Sequence, residues 1–231
     1  MNWIRKLFGK VGESVPKSGG EAHQLTPRER ADDADLQAIT QRLAEVYGEQ
    51  RSFHYGALVA FEDGGPDPLH GVSIFWNTQG PHWHYVSFGL AQVMGAELTF
   101  RLRATPSDRG GDGSSFSEAL AKNAPQWPIA MLNMLARRVQ RTGRPFAVGH
   151  WWEGPPGVLA PHTEISNLAF TRDPELGVVA TASGELLFLL AVGIDPETVA
   201  SMMNDEREGH GDATLAALLA ENPLLLTDAG G

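Results

Sequence analysis

Residues 71–103, GVSIFWNTQGPHWHYVSFGLAQVMGAELTFRLR, decide the fold. Val72, Ile74 and Trp76 alternate with Ser73, Phe75 and Asn77, the period-two pattern of a strand whose two faces meet different surroundings. Trp83 to Phe88 and Glu97 to Arg103 read as two further strands, and Leu98, Phe100 and Leu102 share one face.

Working outward, Gly64-Gly65-Pro66-Asp67-Pro68 is a strong turn cluster, and Tyr55 to Phe61 before it reads as a strand. Thr26-Pro27-Arg28-Glu29 marks a helix start, with a capping Thr, Pro at the first position and Glu three after the cap. Leu36, Ile39, Leu43 and Val46 continue one helix face until Gly48. Residues 1–27 read as a weakly ordered leader and linker. Trp3, Ile4, Leu7 and Phe8, with Arg5, Lys6 and Lys10 around them, allow a weak surface or partner contact through residues 1–8.

On the other side, residues 107–117 read as a solvated loop, because GGDG there lacks the Lys-Ser/Thr ending of a phosphate loop. Pro125 and Pro128 precede a helix carrying Met131, Leu132, Leu135 and Val139, with Arg137, Arg138 and Arg141 toward its negative end. Gly143 and Pro145 stop it. Glu164 to Phe170 and Leu186 to Ile194 read as strands. Helices follow from Asp195-Pro196 to about Asn204 and over Asp212 to Ala220, and Leu224 to Thr227 reads as a short closing strand. The expected fold is α+β: a single domain over 28–231, with a twisted mixed β-sheet flanked by helices.

Composition narrows the function classes. The chain has 231 residues, 42% of them hydrophobic, and a formal net charge of −10, which argues against a nucleic-acid binder. With no cysteine, disulfides, thiolate metal sites and cysteine nucleophiles are excluded. The N-terminus lacks the apolar run of a signal peptide, and no stretch reaches the ~18 apolar residues of a membrane helix. A soluble, cytoplasmic protein with no stable membrane insertion and no cofactor is expected.

Two residue groups invite a chemical reading. His82 and His84 flank Trp83, and on a strand both imidazoles point to one face about 7 Å apart. Such a pair binds zinc when a third ligand is present, with His70, His150, His162 and Glu164 as candidates, and a metal-dependent hydrolase centred on His82 and His84 is the alternative function. The competing reading has both histidines holding loops through ring hydrogen bonds, beside buried Trp83 and Tyr85, with no metal bound. Ser87-Phe88-Gly89 is not a nucleophile elbow, Ser73 sits mid-strand, and Asp63 and Asp67 flank a turn where Asp usually bonds its own backbone.

Taken together, GGPDPL at 64–69, HWHYVSFGL at 82–90, ELTFRL at 97–102, the Trp127-Pro128 helix reaching Leu135-Ala136-Arg137, LLFLLAVG at 186–193 and LLLTD at 224–228 resemble the suppressor-of-fused domain in order and spacing. The resemblance marks Gly64, Gly65, Pro66, Asp67, Pro68, His82, Trp83, His84, Tyr85, Trp127 and Pro128 as structural motif residues. It implies a protein-binding domain with no catalytic residues. Animal members are cytoplasmic negative regulators of Hedgehog signalling that bind Gli-type zinc-finger transcription factors and carry a second, C-terminal domain. This chain is expected to end where the first domain ends, as in bacterial members, some of them proposed as toxin-immunity proteins. In animal members a short extended peptide docks beside the helix after the Trp-Pro motif, on positions carrying Tyr, Phe, Asp and Glu. Those positions fall here on Arg138, Phe146, His150 and Arg172, and only the phenylalanine is kept. The partner is therefore expected to be a protein other than Gli, presenting acidic groups.

Overall fold

The computed structural model describes residues 27–59, 61, 64–77, 80–105, 124–154, 165–208 and 213–229. The leader, the 107–117 loop, Asp63, His162 and Glu164 lie outside them. Among the described residues eight strands form one sheet: β1 (Phe53–Gly56), β2 (Gly71–Asn77), β3 (His82–Phe88), β4 (Ala96–Arg103), β5 (Trp151–Glu153), β6 (Asn167–Arg172), β7 (Val178–Thr181) and β8 (Gly184–Ile194). The order is β1-β2-β3-β4-β8-β6-β5, with β7 paired to β8. Only the β4–β8 ladder is parallel, so the sheet is mixed and mostly antiparallel. The helices among the described residues are α1 (Pro27–Tyr47), α2 (Ala91–Met94), α3 (Trp127–Thr142), α4 (Pro196–Glu208) and α5 (Ala213–Glu221).

The alternation along β2, β3 and β4 sorts side chains to two covered faces. On one, Ile74, Tyr85, Phe100, Leu189 and Phe170 pack beneath Met131, Leu132, Leu135 and Val139 of α3. On the other, Phe75, Val86, Phe88 and Phe188 pack against Ile39 and Leu43 of α1, while Leu190, Val192 and Ile194 pack against Val199 and Met202 of α4 and Leu215 of α5. Trp83, Tyr85, Phe100, Leu102, Leu135 and Leu189 are all buried, each such burial contributing roughly 1.5–3 kcal/mol.

The motif residues pin the sheet to α3. Asp67 Oδ1 accepts from Arg137 Nη2 at 2.6 Å, and the Pro66 carbonyl accepts from Arg137 Nε at 3.1 Å. Gly65 and Pro68 are buried, and Gly64 turns at φ 87°. Trp127 meets Phe100 edge-on with centroids 5.4 Å apart, and Pro128 is buried at the helix start.

Two expected strands are corrected. The segment 55–61 leaves the sheet after Gly56: Ala57 N–H still bonds the His70 carbonyl at 2.9 Å, but β2 begins at Gly71 and offers nothing beyond. Leu58, Val59 and Phe61 are left exposed. Leu224–Thr227 makes only a single bridge, Leu102 to Thr227, because Asn222 holds Leu226 through paired side-chain hydrogen bonds and keeps the chain turning.

Candidate functional site

Two places gather chemistry. The first is a buried polar network on the α1 face. His84 lies opposite Arg101 in the β3–β4 register, and both are fully buried. Arg101 Nη2 and Asp173 Oδ1 are 2.9 Å apart, and Arg101 Nη1 donates to Glu175 Oε2 at 2.6 Å. His84 Nε2 stands 3.1 Å from Asp173 Oδ2, and its Nδ1 meets the Tyr47 hydroxyl of α1. Thr99 Oγ1 also donates to Asp173, at 3.0 Å. His82 clamps the turn: its Nδ1–H donates to the Gly80 carbonyl at 2.6 Å, while its Nε2 faces Arg101 Nη1 at 3.3 Å.

Burial pushes the His84 and His82 imidazoles down, His82 to about 4, so both are neutral near pH 7. Asp173 is buried too, yet the His84 and Arg101 partners and the Leu176 N–H hold its carboxyl well below the usual range. The network fixes loops as the ring-hydrogen-bond reading expects for His82, but His84 does more: it ties α1 to the turn after β6. Arg42 of α1 completes that tie by donating to the Glu175 and Leu176 carbonyls at 2.6 and 2.9 Å. The arrangement is unsuited to zinc. A fixed guanidinium already stands beside both imidazoles, and a second cation there would be repelled. The described residues contain no group of three or more His, Cys, Asp or Glu placed to hold a metal. His70 and His150 sit elsewhere: His70 on the β2 approach and His150 before β5. Replacing His84 with Ala leaves Tyr47 and Asp173 short of a partner and is expected to cost about 2–3 kcal/mol in thermal or denaturant unfolding. Metal analysis of the purified wild type is expected to find no stoichiometric zinc.

The second place is the end of the sheet where α3, β5 and β6 meet. Gly143, at φ 62°, closes α3 through an N–H bond to the Val139 carbonyl, and the chain doubles back. Phe146 then stacks on Phe170 of β6 with centroids 4.2 Å apart. The Arg138 guanidinium lies 5.0 Å from the Phe146 ring centre. Phe170 bonds the stretch before β5 twice, its N–H to the His150 carbonyl at 2.8 Å and its carbonyl to the Gly149 N–H at 2.9 Å. His150 Nδ1 accepts from the Ala147 N–H at 3.1 Å, and the side chain is exposed. Arg172, two residues past Phe170 on the same face of β6, is exposed as well. The structure thus joins Arg138, Phe146 and Phe170 in one stack, with His150 and Arg172 at neighbouring ladder positions. From Trp127 to Trp152 there are four arginines and no acidic residue, in a chain of net charge −10. Phe170 was not a sequence candidate; it entered the sequence reading only as the last residue of the strand 164–170.

Architecture and pattern define an α+β domain of the suppressor-of-fused class. A family model of the suppressor of fused protein (SUFU) matches residues 65–230, and the chain belongs to that family. It is 29% identical over 207 residues to the suppressor of fused homologs of Homo sapiens and Mus musculus, covering 84% of this chain and 42% of each relative. The chain therefore spans less than half the length of these relatives. Drosophila Suppressor of Fused superposes with a TM-score of 0.71 at 25% identity, over 85% of this chain and 50% of that one. The crystal structure of the Sufu–Fu complex gives 0.69 at 24%, over 84% and 89%. A SUFU homolog from Neisseria gonorrhoeae gives 0.55 at 15%, over 86% and 95%. The last two likenesses concern the fold alone.

Proposed function

We propose that the chain is a non-enzymatic protein-binding domain that captures an extended, acidic segment of a partner at the α3–β5–β6 end of its sheet. The carrying observation is the cationic stack there, Arg138 over Phe146 over Phe170, flanked by exposed His150 and Arg172 on an otherwise acidic protein. Past Phe170, β6 has no β5 residue beside it among the described residues, and an incoming strand would meet its backbone there. Aromatic and arginine side chains supply the anchor, and the positive charge selects an acidic ligand. Family membership supports a binding role, and a relative has been crystallised as the Sufu–Fu complex. The titratable groups of the buried network are consumed in holding α1, which supports binding rather than catalysis. In this reading the protein acts in the cytoplasm of a bacterium, restraining or neutralising the protein it holds, as a toxin-immunity or regulatory protein does.

Like charge at Arg138, His150 and Arg172 opposes a partner that presents cationic groups, so Gli-type peptides are expected to show no useful affinity. The test is capture of the native partner by wild type and by an Arg138→Glu, Arg172→Glu variant. Affinity is expected to fall by about a hundredfold, the loss of two well-placed charge contacts. Capture that is unchanged removes this end of the sheet from the binding site.

A further inference from the structure

Of the seven large apolar side chains exposed among the described residues, four gather at one end of the sheet: Leu58, Val59, Phe61 and Val93. Gly56, Gly71 and Phe88 form the last shared row of β1, β2 and β3. Beyond that row stand Leu58, Val59 and Phe61, and α2 with Val93. Residues 57–61, ALVAF, hold no charge, and Leu58 is 102% exposed. Apolar side chains grouped in water mark a contact surface. Helix α1 enters at the same end. Asp35 accepts from Gln92 Nε2 of α2 at 3.0 Å and from the Ser183 N–H of the β7–β8 turn at 3.2 Å, and the helix then rises to Tyr47 beside His84. Residues 1–26 therefore join the domain at this end, at Pro27, eight residues before Asp35 and about 12 Å along the helix.

We propose that this end of the domain docks on an anionic membrane surface, with Leu58, Val59, Phe61 and Val93 entering the lipid interface and the basic N-terminal segment holding the head groups. Residues 1–12, MNWIRKLFGKVG, supply the second half of the contact. Trp3, Ile4, Leu7 and Phe8 are the apolar set of an interfacial segment, and Arg5, Lys6 and Lys10 stand among them with no acid, a charge of +3. Basic side chains next to apolar ones give the paired signal that holds a peripheral protein at anionic lipid. Glu62 and Asp63 follow the tip, and the +3 of the segment offsets their −2. Shape favours lipid over a protein partner. Leu58 projects clear of its neighbours, and a convex apolar tip sinks into a fluid interface, whereas a protein contact of this size needs a pocket shaped to each side chain. The chain as a whole carries −10 and is repelled by the same surface, which turns the uncharged tip and the basic segment toward it.

Vesicles of equal parts phosphatidylcholine and phosphatidylglycerol, sedimented with the full chain, are expected to carry down protein that phosphatidylcholine vesicles leave in solution. Leu58→Asp with Phe61→Asp is expected to lower the partition coefficient by about tenfold or more with an unchanged circular dichroism spectrum, since both side chains are exposed. Arg5→Glu with Lys6→Glu is expected to lower it by about as much, and added salt to weaken binding of the wild type. The chain has no cysteine, so an environment-sensitive dye at Leu58→Cys reports the contact directly. Its emission is expected to shift to the blue on anionic vesicles. The same dye at Asp228→Cys, exposed beside Arg103 at the far end of β4, is expected not to shift. Full chain that stays in solution with both kinds of vesicle, binding indifferent to either pair of substitutions, a dye that shifts at residue 228 and not at 58, or a tip covered only by another protein's segment would each overturn the proposal. None of these measurements depends on the partner captured at the α3–β5–β6 end.

Discussion

Asp173→Ala is expected to unfold the domain at markedly lower urea concentration, with a loss of about 3–5 kcal/mol, the cost of breaking a buried ion pair from one side. Asp173 Oδ1 accepts from the Glu175 and Leu176 N–H groups at 3.0 and 2.9 Å and pairs with Arg101. Oδ2 takes the Thr99 hydroxyl and faces His84. Without it the Arg101 guanidinium keeps the partly exposed Glu175 carboxylate as its anionic partner, beside the neutral His82 ring, and the turn joining β6 to β7 loses its internal acceptor. The α1 helix is anchored to that turn through Arg42, so its packing on Phe75 and Phe188 weakens in the same event.

The pH dependence separates this charge effect from simple loss of volume. The Asp173 pKa is lowered by folding, so its contribution is present above about 3.9, the unfolded value, and is lost as the pH falls toward the folded one. The Asp173→Ala variant is expected to lose less of its remaining stability than wild type does on going below pH 4, when both are followed by urea unfolding at each pH. An equal acid slope in the two proteins would show that Asp173 is held for shape and not for charge.

This network marks the limit of what the sequence carries. Period-two alternation made β2, β3 and β4 legible, and the unbroken apolar run at 186–192 did the same for β8. The alternation is silent about the other face. Glu97, Thr99 and Arg101 are polar, yet α1 and the turn at 173–177 cover them. His84 faces Arg101 only through the β3–β4 register, and Asp173 lies 72 residues from Arg101 along the chain. Neither distance leaves a local pattern. Strand β5 has three residues and β7 four, too short for periodicity to show. The opposite error occurred at 55–61, where β-propensity is high and partner backbone is absent, so a good strand sequence stays out of the sheet. Of the candidate binding residues, Arg138 and Phe146 do meet, but Phe170 beneath them was legible only as the end of a strand.

Glu97 supplies the second large effect, with the opposite sign in pH. Its Oε1 accepts the N–H groups of Gly89, Leu90 and Ala91 at 2.8, 2.9 and 3.1 Å, and its Oε2 accepts the Ser87 hydroxyl at 2.6 Å. One carboxyl thus closes the turn out of β3 and caps the start of α2. Glu97→Ala strands three buried or half-buried N–H donors and is expected to cost about 3 kcal/mol or more. Complete burial pushes the Glu97 carboxyl up to about 7, against four hydrogen bonds that favour the ionised form. A raised carboxyl pKa contributes stability that is full below the unfolded value near 4.3 and is lost as the pH climbs to 7. His54 and His82, both lowered to about 4, work the other way: their contribution is present above about 6.5 and is lost as the pH falls toward 4. The opposed slopes partly offset each other between pH 4.5 and 7 in wild type. Glu97→Gln keeps the acceptor for the three N–H groups, offers its amide to Ser87 Oγ and removes only the titration. The variant is expected to be close to wild type at pH 4.5 and to gain on it by about 3 kcal/mol by pH 7, so that its own stability climbs steeply with pH on the histidine terms alone. Urea unfolding of both proteins at half-unit pH steps reads the difference directly, and a Glu97→Gln effect that stays constant over that range would mean the carboxylate is ionised throughout.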